Sequence, residues 1–340
     1  MKKKTVTIDD IARYLNIATS TVSRALSDHH SISDQTKKLI KDTAKKLNYR
    51  PNSLAANFRK GKTKTIGLVV PRINRNFFSN VIHGVEYVAN QFEYSLIICQ
   101  SNETYKSELE AIETLMNNRV AGILISISRE TRKPGHIKSV IEKGIPLVQF
   151  DRVFEEIKSN KVLNDNLNGA YSAVKGLIDQ GYRRIVHFAG PYYINIYQDR
   201  YEGYKKALLD SGLTPDEKLV FENILTREEG YEKTMEIFGK ANRPDAVFAA
   251  SDFSALGAMI ALKDMNIKIP GEVGVVGYAN EPFTDYISPG LTSVDQHSVE
   301  MGQTAARLLF EEILNEDENY VPKTLTLKPD LVIRDSSSGG

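Results

Sequence analysis

Apolar positions near the start of the chain recur with helical spacing. Ile8, Ile11, Ala12 and Leu15 stand at i, i+3, i+4 and i+7, which lays one apolar stripe along a helix face. Asn16, Ile17 and Ala18 interrupt the pattern and predict a tight turn. A hydroxyl at Thr19 or Ser20 then offers the N-cap of a second helix. On that helix Val22, Ala25 and Leu26 fall toward the first, leaving Thr19, Ser20, Ser23 and Arg24 outward. A third helix is expected to open at residues 33–36, with Leu39, Ile40, Thr43, Ala44 and Leu47 inward. Lys37, Lys38, Lys41, Lys45 and Lys46 cover its other side. It should stop at Tyr49-Arg50-Pro51, because the residue before a proline is pushed out of the helical region.

Residues 52–60 form a short segment of helical propensity between Pro51 and Gly61. Such a length does not hold a helix alone in water. It is either a plain linker or a hinge helix that orders against a DNA minor groove. In the second case Ala55 and Ala56 permit close approach and Phe58 is a wedge between bases.

From residue 64 the pattern changes to short apolar runs alternating with amphipathic segments. Strands are predicted at 65–70, 95–99, 122–126 and 146–150, with helices carrying Val81, Val85, Val88 and Ala89, then at 107–117 and 137–143. The sequence then restarts, with strands at 184–189, 245–250 and 273–278 and helices at 200–211 and 253–265. Alternation of this kind builds parallel sheets from βαβ units. Two rounds predict two similar α/β lobes with a cleft between them.

Composition bounds the class. The chain has 340 residues, 41% hydrophobic and 26% charged, which suits a soluble globular protein of two or three domains. No apolar run is long enough to span a bilayer, and the basic start MKKKTVTIDD has no apolar stretch behind it, so neither a membrane span nor a secretory signal is expected. The expected location is the cytoplasm, with the nucleoid. The single cysteine, Cys99, excludes an internal disulfide and a Cys-based zinc site, and its neighbours Leu96, Ile97 and Ile98 predict a buried strand thiol. His29, His30, His83, His136, His187 and His297 are scattered without metal or nucleophile spacing, and no GxGxxG follows a strand. Neither an enzyme, a cofactor nor a bound metal is therefore expected; His187 reads as a packed strand residue.

Charge distribution separates the readings of the first helix pair. Residues 1–62 carry 14 Lys and Arg against 5 Asp and Glu, a net +9, whereas the remainder carries 30 against 38, a net −8. A basic head on an acidic body points to a polyanion at one end. That favours a DNA-reading helix-turn-helix over an ordinary two-helix corner. A sugar-binding transport protein, the rival from another class, should have a signal peptide and no basic head; this chain has the reverse.

The segments VTIDDIA, STVSRALS, LNYRPN and AANFRKGKT, followed by IGLVVP, GILIS, FDR, RYEGYKKAL, ASDFSALGAM, GVVGY, PGLTSVDQ and LVIRDSS, occur together and in this order. On them the chain resembles the LacI/GalR (lactose-repressor/galactose-repressor) family of bacterial transcription regulators over essentially its whole length. The resemblance implies a small all-α helix-turn-helix head at 1–50 and a hinge helix at 51–63. It also implies a periplasmic-binding-protein-like α/β core of two parallel-sheet βαβ lobes at 64–335. The N-lobe would take about 64–163 and 295–325, and the C-lobe about 164–294 and 326–335. Residues 336–340, SSSGG, are expected to be a disordered tail.

Carried over by that resemblance, Thr19, Ser20 and Arg24 match base-reading positions and Thr21 and Ser23 match phosphate contacts. In the hinge, Asn52, Ala55 and Phe58 match DNA-contacting positions, with Phe58 where the family usually has an intercalating leucine. Arg24 can fork onto guanine O6 and N7. Phe77, Phe78, Ser128, Asp151, Arg200, Ser251, Asp252, Asn280 and Gln296 match effector-cleft positions. Aromatic faces beside Arg and Asp suit a polyhydroxylated ligand, so the expected effector is a sugar or sugar derivative. For Asp252 a plain helix cap is the alternative, and for Asp151 a pair with Arg152 or Arg200. Ala279 stands where many relatives have an acidic residue, which keeps a nucleobase corepressor or a partner protein open as effector. The implied partner is double-stranded palindromic operator DNA bound by a homodimer, with Val81, Val85 and Leu256 on helices that match the family's dimer surfaces. No leucine-heptad tail follows, so a tetramer assembled through one is not expected.

Overall fold

The computed structural model describes residues 6–49, 63–317 and 319–338, and the chain divides into two compact units, Met1–Thr63 and Lys64–Gly340. Among the described residues the first unit holds three helices, α1 (Ile8–Leu15), α2 (Thr19–Leu26) and α3 (Asp34–Lys46). Thr7 opens α1 through a reciprocal capping box with Asp10, and Asn16, at φ 52°, closes it. The N-cap of α2 is Ala18, without a side-chain capping bond. Thr19 is already helical, and its hydroxyl donates instead to Asp9 Oδ1 of α1 at 3.1 Å. Ser33 caps α3 by accepting from the Thr36 N–H.

Two further expectations are corrected in this unit. The third helix ends at Lys46, with Leu47 as its C-cap, before the expected stop at Tyr49-Arg50-Pro51. Asn48 takes φ 52°, and the Tyr49 N–H reaches back to the Ala44 carbonyl at 2.9 Å, a left-handed C-terminal closure. Leu39 is 56% exposed, while Ile40 and Ala44 are buried with Ile11, Ala12, Val22 and Ala25. Leu39 sits one helical step off that stripe, and three short helices bury only one stripe of α3. The hinge expected at 51–63, with Asn52, Ala55 and Phe58, lies outside the described residues except for Thr63.

The second unit contains two six-stranded sheets. The first is built from β1 (Thr65–Val70), β2 (Ser95–Gln100), β3 (Ile123–Ile125), β4 (Leu147–Phe150), β5 (Asn160–Asn164) and β11 (Thr324–Leu327), in the order β11-β5-β4-β3-β1-β2 and parallel throughout. The second uses β6 (Ile185–Phe188), β7 (Val220–Phe221), β8 (Ala246–Ala249), β9 (Gly274–Tyr278), β10 (Thr292–Asp295) and β12 (Asp330–Val332), in the order β12-β10-β9-β8-β6-β7. This sheet is not purely parallel, because β12 pairs antiparallel with β10 at its edge.

Successive strand residues serve opposite faces, as the period of two requires. Ile66, Leu68 and Val70 of β1 pack under α4 (Asn76–Gln91) and α11 (Ser298–Leu314), while Val69 joins α5 (Tyr105–Asn117) and α6 (Gly135–Glu142) on the other side. In the second sheet Ala246 and Phe248 face α7 (Asn166–Asp179) and α8 (Asn195–Asp210), and Val247 and Ala249 face α9 (Arg227–Phe238) and α10 (Asp252–Asp264). Three segments cross between the lobes, after β5, after β10 and between β11 and β12.

Several elements were not predicted. β5 reads NKVLN, and no apolar pattern marks it. It is buried because Asn160 donates to Glu312 and accepts from the Lys323 N–H, and Lys161 Nζ reaches the Glu155 and Ile157 carbonyls. α8 begins at Asn195, five residues earlier than expected, within a run of aromatic and β-branched residues that reads locally as strand. Val81 and Val85 are fully buried between α4 and α11, which removes them from any outer dimer surface. The helices touch so closely that a Cβ on Gly84 would overlap the Val299 carbonyl and one on Gly302 the Val81 carbonyl. Cys99 is half-buried on the edge strand β2.

The start of the expected disordered tail is ordered. Ser336 is buried, its hydroxyl donating to the Val275 carbonyl at 2.6 Å and accepting from the Thr292 N–H at 2.9 Å. Ser338 bonds the Arg334 carbonyl. These serines satisfy the backbone at the end of the second sheet.

Candidate functional site

A cavity of about 310 Å³ lies between the two lobes. Its walls come from loops beyond the carboxyl ends of strands, where open α/β sheets place ligands. The first lobe contributes Arg72, Arg75, Phe77 and Phe78 around the start of α4, Glu103 after β2, Arg129 after β3, and Asp151 and Arg152 after β4. The second contributes Tyr197 and Arg200 from α8, Thr226 before α9, Ser251, Asp252 and Phe253 at the start of α10, Tyr278 at the end of β9 and Glu281 beyond it, and Gln296 after β10.

Seven of the nine expected cleft residues line this cavity: Phe77, Phe78, Asp151, Arg200, Ser251, Asp252 and Gln296. Phe77 and Phe78 are buried edge to face, ring centres 5.0 Å apart. Arg200 donates Nε to Asn166 Oδ1 at 3.0 Å and Nη1 to the Ala250 carbonyl at 2.8 Å, and its guanidinium lies 3.6 Å over the Tyr278 ring. Asp151 holds a left-handed backbone, φ 59°, uncommon for a residue with a side chain and typical of constrained functional loops. Burial pushes its carboxyl up, against the pull of Arg152 and Arg200.

Asp252 is not the helix cap. Ser251 caps α10 by accepting from the Phe253 N–H. Asp252 Oδ1 accepts from Ser293 Oγ at 2.6 Å and Oδ2 from the Glu281 N–H at 2.8 Å. It thereby ties β10 to the loop after β9. Burial pushes its carboxyl up to about 7 despite those bonds.

Ser128 and Asn280 do not line the cavity. Ser128 is buried in a separate cluster, where its N–H donates to Glu108 and its hydroxyl to Ser101 Oγ at 2.6 Å. Glu108 also accepts from Thr131 and pairs with His136 at 2.6 Å. Asn280, at φ 48°, turns away to Asp295 and Arg334. Ala279 beside it takes φ 117°, so the loop turns there in a conformation that L residues rarely adopt.

Sequence reasoning missed most of the cationic lining. Arg152 Nη1 pairs with Glu103 Oε2 at 2.8 Å, and the Arg129 N–H donates to the same oxygen at 2.9 Å. Burial opposes the charge on Glu103, but Arg152 holds its carboxyl below the usual value. The lobes also touch directly. Asn195 of α8 accepts from the Val153 N–H at 3.1 Å and donates to the Asp151 carbonyl at 3.0 Å, and Tyr193 donates to the Arg129 carbonyl at 2.8 Å. Arg132 stacks 3.2 Å over Tyr193, and Arg75 3.7 Å over Phe253. His187 is a core residue as expected, Nδ1 donating to the Phe248 carbonyl, with burial pushing its pKa down to about 4.

On the head, Thr19, Ser20 and Arg24 are exposed along α2, and Thr21 and Ser23 are half-exposed. Among the described residues no three His, Cys, Asp or Glu side chains gather as for a metal ion, and no helix is long and apolar enough to cross a membrane.

Residues 7–52 match the description "Bacterial regulatory proteins, lacI family", and residues 174–337 match "Periplasmic binding protein-like domain". A ribose operon repressor of Haemophilus influenzae is 33% identical over 330 residues, covering 97% of this chain and 98% of the relative. The chain belongs to the LacI family. A second relative of this LacI-family chain, the transcriptional repressor PurR of Mannheimia succiniciproducens, is 31% identical over 331 residues, covering 97% and 98%. Among solved structures, a transcriptional regulator CelR–cellobiose complex aligns with TM-score 0.74 and 29% identity over 97% of this chain and 99% of that chain. The Lac repressor dimer bound to operator and the anti-inducer ONPF has the same fold, with TM-score 0.86 and 23% identity over 99% and 100%. The LacI-family chain is thus a DNA-binding repressor and not an enzyme.

Proposed function

We propose that this repressor binds a palindromic operator as a cytoplasmic homodimer and that a polyhydroxylated small molecule in the cleft sets its operator affinity. The observation that carries the reading is the cavity between the lobes, where Phe77 and Phe78 stand beside Asp151, Arg200, Asp252 and Gln296. Flat apolar faces with converging polar groups suit a sugar ring and its hydroxyls. The relatives support the class, since one is named a ribose operon repressor and one structure is a cellobiose complex.

In this reading Thr19, Ser20 and Arg24 read bases, Thr21 and Ser23 hold phosphates, and Asn52, Ala55 and Phe58 act in the hinge. The α2 N-terminus has no side-chain cap, leaving backbone N–H groups for a phosphate oxygen. Ligand in the cleft adds bonds from both lobes and so biases their closure. Linkage of this kind changes operator affinity by roughly 5–150-fold, about 1–3 kcal/mol.

The test is binding of the full chain to labelled DNA from upstream of its own gene at fixed salt, titrated with sugars, sugar derivatives and nucleobases, because phosphate contacts make affinity salt-dependent. A shift of about fivefold or more by a sugar or derivative supports the reading. A shift by a nucleobase alone replaces the ligand class. Specific DNA binding that no compound moves favours a protein partner as effector.

A further inference from the structure

We infer that the effector is an anion, whose phosphate or carboxylate group sits among Arg72, Arg75 and Arg129 on the first-lobe side of the cavity; the inference rests on the cleft being the effector site. Five arginines line the cavity, Arg72, Arg75, Arg129, Arg152 and Arg200, against four carboxylates. Two of the five are committed inside the protein. Arg152 pairs with Glu103, and Arg200 spends its nitrogens on Asn166 and Ala250. Arg72, Arg75 and Arg129 have no carboxylate within ion-pair distance among the described residues. Arg75 senses Glu281 most strongly and Glu103 less, and Arg129 senses Glu103, which Arg152 already holds.

Burial pushes Asp151, Asp252 and Glu281 toward their neutral forms. Arg75 is partly desolvated over the Phe253 ring and stands close enough to Arg72 for the two charges to repel. Arg152 Nε is buried without a hydrogen-bond partner among the described residues, with Asp151 Oδ2 3.9 Å away as its ion-pair partner.

A guanidinium only donates hydrogen bonds. Three of them at one wall therefore ask for a ligand rich in acceptors, and neutral hydroxyls supply a donor for every acceptor pair. Ionised phosphate and carboxylate oxygens accept hydrogen bonds, and a pair of them fits the planar arginine fork. The opposite wall, with Thr226 and Gln296, offers acceptors for the hydroxyls of the same molecule.

The first measurement is the melting temperature of the full chain in inorganic phosphate and in chloride at equal ionic strength. It is made for the wild type, for Arg72→Gln/Arg129→Gln and for Arg72→Lys/Arg129→Lys. Phosphate is expected to stabilise the wild type beyond chloride, the Gln pair to lose that difference and the Lys pair to keep part of it. No difference in the wild type, or one that survives in the Gln pair, overturns the inference; survival would place the phosphate on the basic head. Calorimetry on matched compounds then separates the sources: a pentose against its phosphate ester, and a hexose against its phosphate ester and its uronic acid. An ester or a uronic acid binding about tenfold or more tighter than its neutral parent supports the inference and identifies the group. A neutral sugar binding as tightly as its anion overturns it while leaving the cleft reading intact. Failure of every compound together with no phosphate effect overturns both.

Discussion

A Cβ on Gly277 would overlap Asp252 Oδ1, so the bare backbone of β9 is what lets the Asp252 carboxylate lie across it and reach Ser293 and the Glu281 N–H. Gly277→Ala should displace Asp252 and cost about 1–3 kcal/mol in stability. Urea denaturation measures this, and effector binding should weaken in parallel. An unchanged midpoint would show that Asp252 relaxes without loss.

Asp252 also makes stability depend on pH. Its native pKa is raised from 3.8 to about 7, so the native state binds more protons than the unfolded chain between those values. Its contribution to stability therefore falls as pH rises through that window. His187 has the opposite sign, because its value is lowered from 6.5 to about 4 and the unfolded chain binds the extra proton. Asp252→Asn removes only the first effect. The variant should gain on the wild type between about pH 4 and pH 7, by on the order of 1 kcal/mol or more. A stability difference independent of pH would refute the assignment.

Arg24 is exposed on α2 with no ion pair among the described residues. Arg24→Ala should weaken specific operator binding by about 1–3 kcal/mol with no change in the circular dichroism of the head. Equal losses on specific and random DNA would make it a phosphate contact instead of a base reader.

Ser336 anchors the end of the second sheet to Val275 and Thr292. Ser336→Ala should cost about 1–3 kcal/mol, since it leaves a buried backbone N–H without its acceptor. A chain ending at Asp335 should lose at least as much. Wild-type stability in the shortened chain would mean that the tail contributes nothing.

Much of the fold was legible because it follows local periodicity. The stripe of Ile8, Ile11, Ala12 and Leu15 needs only one helix turn after another, and TIGLVV reads as a buried strand without knowledge of its neighbours. β5 and the three crossings were not legible, because NKVLN is held by the Glu312 side chain and the Lys323 backbone N–H, both far along the chain. The cleft was partly legible. Seven of its nine expected residues line it, while Ser128 and Asn280 were drawn off by Glu108 and by Arg334.

By itself the sequence determined the basic three-helix head, the alternation of strands and helices, and the identity of the groups available to a ligand. Each of these depends on residues a few positions apart. Only the tertiary structure decided which groups face the cavity, and therefore that Arg72, Arg75 and Arg129 stand without an ion-paired acid among the described residues. That outcome depends on loop conformations such as Asp151 at φ 59° and Asn280 at φ 48°. It depends equally on pairings such as Asp252 with Ser293 and Val275 with Ser336. Their partners lie far apart in sequence, and no local pattern of residues records such long-range contacts.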